Sequence, residues 1–121
     1  MIKRKDRQIY DSAAQNLASA ALTKTTAFLV PFRLNEITIN FDGAAVTETV
    51  TITRDNGLGA GYDAVLKTEA LSGASVFVWR PPDDGCVFLL RGTTLDQIKV
   101  QCTKANTPAS TANVTIDCEE L

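Results

Sequence analysis

Any chemistry in this chain would have to come from carboxylates and thiols, because it contains no histidine. Without an imidazole, Ser-His-Asp and Cys-His arrangements are excluded as nucleophilic machinery, and no SxxK run offers a lysine instead. Asp83–Asp84 and Glu119–Glu120 are carboxylate neighbours. Carboxylates that cleave glycosidic bonds face each other across a cleft, which adjacent residues on a turn do not do. Asp55, Asn56 and Asp63 flank the glycine-rich stretch NGLGAG and form an oxygen set of the kind calcium takes. The spacing lacks the alternating register and final glutamate of an EF-hand, so turn-stabilising Asx residues are the expected role. The same stretch contains GxGxG but not the full phosphate-binding fingerprint, and no helix follows it to present an N-terminus to an anion. Cys86, Cys102 and Cys118 are odd in number, far apart and without a CxxC. They read as small hydrophobes within strands of a protein kept in a reducing compartment. With no histidine beside them, a zinc site has nothing to build with. The expectation is a protein with no metal, no cofactor and no catalysis.

The elements around these residues are strands. Val76–Trp79 and Val87–Leu90 are apolar runs separated by Pro81, Pro82, Asp83, Asp84 and Gly85. Two successive prolines lack the N–H donors a ladder needs, and Asp-Gly supplies turn geometry, so the stretch reads strand, turn, strand. Gln97–Cys102 follows as a third strand. Upstream, Phe28, Val30 and Phe32 alternate around Pro31, which marks an edge. Ile37, Ile39 and Phe41 alternate with Thr38 and Asn40, and Val50 and Ile52 with Thr49, Thr51 and Thr53. β-Branched side chains suit the outer face of a pleated sheet. The loop RDNGLGAGYD reads as a hairpin tip before a strand at residues 62–67, and Val114, Ile116 and Cys118 form a last alternating strand. About eight short strands with turn signals at this spacing predict an all-β, antiparallel β-sandwich. The absence of an alternating βαβ pattern argues against a parallel sheet.

Residues 1–26 look different, and the expected organisation is an N-terminal arm over 1–26 and a β-sandwich domain over 27–121. Lys3, Arg4, Lys5 and Arg7 crowd the start, while Asp117, Glu119 and Glu120 lie at the end of a chain whose net charge is only -2. The run SAAQNLASAAL has small apolar residues near helical spacing, so a short helix and an extended arm are both open, with the arm preferred. The basic start could contact nucleic acid or an acidic protein surface, but Tyr10 is its only aromatic, and nucleic acid is not the expected partner. Its polar residues argue against a secretory signal, and no run approaches the ~20 apolar residues of a membrane helix. Trp79 could act as a sugar-stacking platform, though a lone tryptophan in an apolar strand more often packs in a core or interface.

The order of the pieces resembles the small jelly-roll accessory proteins of tailed-bacteriophage virions. The resemblance rests on F-x-x-PFR-L-x-x-I at Phe28–Ile37, TIT…G…YD-x-x-L at Thr51–Leu66, and VW-x-P at Val78–Pro81. A segment at Gly92–Asn106 fits loosely, with Thr93 where the family prefers aspartate and two extra residues before Ile98. The resemblance implies a jelly-roll-like fold and a non-enzymatic structural role, decorating or cementing a capsid or sitting at a neck or tail. It also implies assembly in the host cytoplasm, a homo-oligomeric trimer or ring, and contacts with major capsid or portal and tail proteins but not with a membrane. Lys3, Arg4, Lys5, Arg7 and Tyr10 on the arm, Tyr62 in the glycine-rich loop, and Asp83 and Asp84 on the proline turn are the candidate interface residues. A carbohydrate-binding β-sandwich of a phage fibre or tail is the alternative.

Overall fold

The computed structural model describes residues 8–26, 32–43, 46–55, 59, 61, 63–82, 86–88, 90–91, 94–105 and 110–120. Their strands are β1 (Gln8–Asn16), β2 (Leu22–Thr26), β3 (Phe32–Gly43), β4 (Thr49–Asp55), β5 (Ala64–Ala70), β6 (Val76–Trp79), β7 (Cys86–Phe88), β8 (Leu90–Arg91), β9 (Thr94–Leu95), β10 (Gln97–Cys102) and β11 (Ser110–Glu120). One sheet runs β1-β11-β3-β6, with β7 also on β3. The other runs β2-β10-β4-β5, and β8 and β9 form a separate two-stranded ribbon.

The pairs are nested. The hairpin β4–β5 lies innermost, β3 pairs with β6, β2 with β10 and β1 with β11, all antiparallel. Successive nested pairs fall in alternate sheets, which is the strand order of a jelly roll. The expected antiparallel β-sandwich is therefore the observed fold.

Alternation explains why these residues form these strands. In β11, Ala112, Val114, Ile116 and Cys118 are buried, and in β10 so are Ile98, Val100 and Cys102. The intervening Thr115, Asn113, Lys99 and Gln101 point outward. β3 follows the same rule from Ile37 to Phe41, then shifts register against β11 between Asp117 and Cys118. The extra residue, Asn35, lets Leu34 and Phe32 face the core as well. Each isoleucine or leucine buried here contributes about 1.5–3 kcal/mol relative to exposure.

Two sequence expectations are corrected. Residues 8–26 form neither a helix nor an arm. β1 pairs along nine residues with β11, from Gln8–Glu119 to Asn16–Thr111, and β2 pairs with β10. Ile9, Asp11, Ala13 and Gln15 are half-buried while their neighbours are exposed, a two-residue period that the abundance of alanine conceals. Leu17 turns the chain from one sheet to the other. Its side chain is fully buried, its N–H donates to the Ser110 carbonyl at 2.9 Å, and its own carbonyl accepts from Ala105 N–H at 3.0 Å.

The second correction concerns β6 and β7, which do not pair with each other. Both lie antiparallel to β3, β6 on Ile37–Asn40 and β7 on Phe32–Leu34. The proline-containing segment thus interrupts one continuous edge instead of reversing it. Proline removes ladder donors, but the chain resumes its direction because β3 is long enough to receive both pieces.

Candidate interaction surface

Among the candidate interface residues, Tyr10 is described. It lies on the outer face of β1, 59% exposed, in register with Asp117, and its hydroxyl donates to Gln8 Oε1 at 2.9 Å. Lys3, Arg4, Lys5, Arg7, Tyr62, Asp83 and Asp84 lie outside the described residues. Of the residues weighed for calcium, Asp55 and Asp63 each place an Oδ2 3.9 Å from Lys99 Nζ. The cation near those carboxylates is an ammonium, delivered by register from β10. Trp79 is partly buried against the core. Cys102 and Cys118 are unpaired and buried. Burial, with the negative charge of Glu48, pushes the Cys102 thiol up to about 11, and burial with Asp117 and Asp11 pushes Cys118 up to about 12. Neither is a reactive thiolate at neutral pH.

A depression of about 190 Å³ on the outer face of the second sheet is lined by Thr23, Thr49, Thr51 and Thr103 with Gln101. It is smaller than the roughly 300–1,000 Å³ of ordinary ligand pockets. Cross-strand rows around it are Thr23–Gln101–Thr51–Thr68 and Thr25–Lys99–Thr53–Val65. The outer face of the first sheet carries the uncharged rows Ser12–Thr115–Thr38–Val78 and Ala14–Asn113–Asn40–Val76. Charged pairs gather at one end, where Arg80 Nε donates to Glu36 Oε2 at 2.9 Å and Arg33 lies 3.6 Å from Glu119, while Asp42 is exposed at the other. The hydrogen bonds from Arg80 and Thr38 hold the Glu36 carboxyl below its usual range. Burial and the charge of Glu36 push that of Asp117 up.

The lateral strands β1, β2, β5 and β6 differ in how they are guarded. On one flank, β1 packs against β2. Asp11 faces inward from β1, accepts a hydrogen bond from Thr26 Oγ1 at 2.8 Å, and lies 3.0 Å from Lys24 Nζ. Burial raises the Asp11 carboxyl, but the bonds from Lys24 and Thr26 outweigh it and leave its pKa below the ordinary value. A depressed carboxylate stabilises the fold above its unfolded pKa of about 4, and loses that contribution as pH falls through the folded value. Asp11→Ala is therefore expected to cost about 1–2 kcal/mol at pH 7, by stranding the buried Thr26 hydroxyl. In urea titrations the gap between variant and parent should narrow as pH falls below about 4 and the carboxylate is protonated. An equal loss at every pH would show that the carboxylate charge is not what matters.

On the other flank, β5 carries Lys67 and Glu69 opposite the buried Ile52 and Val50, 3.8 Å apart, and its register with β4 shifts at Ile52–Thr53. Inward charges and bulges are devices that keep an edge from recruiting another strand. β6 has neither. Its residues are Val-Phe-Val-Trp, with Phe77 buried and Val76 and Val78 48% and 50% exposed. No sequence rule singled it out, because the exposed valines fit the pattern of a core strand.

No protein-family model matches the chain, and no curated protein matches it. One solved structure that it resembles is that of infectious bursal disease virus, Gx strain. The TM-score is 0.38 at 11% identity, over 96% of this chain and 32% of that one. A likeness at that score carries no functional argument.

Proposed function

We propose that this chain is a structural protein of a virus particle that decorates or cements a capsid through self-association, without enzymatic activity. The observation that carries the reading is the apolar edge β6 beside the uncharged rows of the first sheet's outer face, on a fold whose described residues gather no metal-binding cluster. Jelly rolls of this strand order serve in capsids, lectins and cupins, and the fold does not choose among them. The sequence resemblance to tailed-phage accessory proteins favours the first. A carbohydrate-binding role has less support, because Tyr10 is the aromatic among the exposed large apolar side chains described, and one ring makes a poor stacking platform.

The major capsid protein, or a portal or tail protein, is the proposed partner, and the basic residues Lys3, Arg4, Lys5 and Arg7 are proposed to assist docking. The test is density-gradient fractionation of a lysate in which particles assemble. The chain should band with the particles at a fixed copy number, and deletion of residues 1–7 should lower its occupancy. A chain that stays entirely in the soluble fractions overturns the reading.

A further inference from the structure

β6 presents more than apolar side chains. Ser75 carbonyl accepts from Phe41 N–H at 3.0 Å, and the register runs Asn40–Val76, Ile39–Phe77, Thr38–Val78 and Ile37–Trp79. In an antiparallel ladder the bonded pairs alternate, so Phe77 and Trp79 bond towards β3. The N–H and C=O groups of Val76 and Val78 then point away from it, and no described strand pairs with them on that side. The open stretch is confined to these two residues, because Ala74 exchanges both its backbone bonds with Val46 at 2.9 Å. Both valines also project from the outer face.

We propose that β6 is a self-pairing edge. Two copies of this chain join β6 to β6 antiparallel, about a two-fold axis through Phe77, and fuse their first sheets into one. This deepens the self-association proposed above by naming the strand, the partner and the register. The axis sets Val76 of one copy opposite Val78 of the other, twice. Both positions have outward-pointing backbone groups, so each opposition is a hydrogen-bonded pair and the junction makes four new backbone bonds. The four valines form a β-branched cluster on the continuous outer face.

The charges agree with this occupant. The rows next to the valines hold Asn40, Thr38, Asn113 and Thr115, so two negatively charged copies meet across a neutral surface. A charged partner would find no complementary row there. The strand is short. The pairing buries a few hundred Å², below the roughly 1,200 Å² of a stable isolated interface. Free chains therefore associate weakly, with a dissociation constant on the order of 0.1 mM, and the contact gains strength where many copies are held on one surface.

The test uses the full chain and sedimentation velocity over a concentration series that reaches about ten times that constant. The parent should shift towards dimer. Val76→Lys with Val78→Lys places lysines opposite each other in this register and should weaken association at least tenfold. Val76→Lys with Val78→Glu places Lys opposite Glu at both pairs and should restore it to within a few-fold of the parent. Both valines are half exposed, so far-UV circular dichroism should report folded protein in each case. A parent that stays monomeric, a double-lysine variant that dimerises like the parent, or a Lys/Glu variant that behaves like the double lysine overturns the proposal. Banding of a non-pairing variant with particles would leave the virion role standing while removing this contact, so the two readings fail separately.

Discussion

A chain lacking residues 1–22 is expected to lose its cooperative unfolding transition altogether. The deletion removes all of β1 and the Leu17 corner, and with them an edge of one sheet and the approach to the other. β11 would become an edge, with the inner row Val114, Ile116 and Cys118, now buried to within 1% of their surface, opened to solvent beside it. Leu17 and Leu22, also buried, would be lost, at about 1.5–3 kcal/mol each in transfer free energy alone. Nine residues of ladder pairing with β11 and the Asp11–Lys24–Thr26 closure go as well. The sum approaches the total stability of an ordinary domain, about 5–15 kcal/mol. Thermal unfolding followed by far-UV circular dichroism, with an amide-correlation spectrum of the folded baseline, reads the result. A two-state transition within a few degrees of the full chain would mean that β1 is dispensable and the sheet assignment carries no weight. Because β1 pairs with β11, the two ends of the described chain complete the same sheet. That sheet cannot form until the loop between them has closed, the situation in which folding is slow.

Ile37→Ala is the second expected large effect, a loss of about 2–5 kcal/mol. Ile37 is fully buried and sits in the middle of the first sheet, between Ile116 on β11 and Trp79 on β6. Removing its outer carbons leaves a void that a strand bonded on both sides cannot move to fill. Val65→Ala, at a β5 residue that is 63% exposed, serves as a control and should fall within about 0.5 kcal/mol of the parent. Urea unfolding with a common slope for all three proteins measures both. A cost below about 1 kcal/mol at Ile37 would place the centre of packing elsewhere.

The all-β class was legible because period-two alternation survives wherever the inward residues are large. Ile37–Ile39–Phe41, Ile98–Val100–Cys102 and Val114–Ile116–Cys118 are examples, and each strand lies where its pattern put it. The pattern failed at β1, where the inward positions are Ile9, Asp11, Ala13 and Gln15. Three of these are small or polar, and they are tolerated because β1 is an edge that needs only partial cover. Pro81–Pro82 misled for a related reason. Proline announces a break in pairing, but whether the chain then reverses depends on the length of the strand beside it.

The candidate surface was less legible than the fold. Val76 and Val78 lie in an apolar tetrapeptide that matches a buried strand, and burial of one face depends on what covers it. In β6 the inner face packs on the core and the outer face meets solvent. Asp55 and Asp63 belonged together by sequence, but Lys99, which approaches both, arrives from β10.

The sequence by itself determined which segments are extended and which side of most of them turns inward, since alternation is a property of neighbouring residues. It also excluded histidine-based chemistry, since that requires only an inventory. The tertiary structure alone decided which strands are edges, which edges are guarded by an inward charge, and which backbone groups remain turned outward. Those properties belong to pairs of segments far apart in the chain, such as β1 with β11 and β3 with β6, and no local pattern encodes which partner a strand meets.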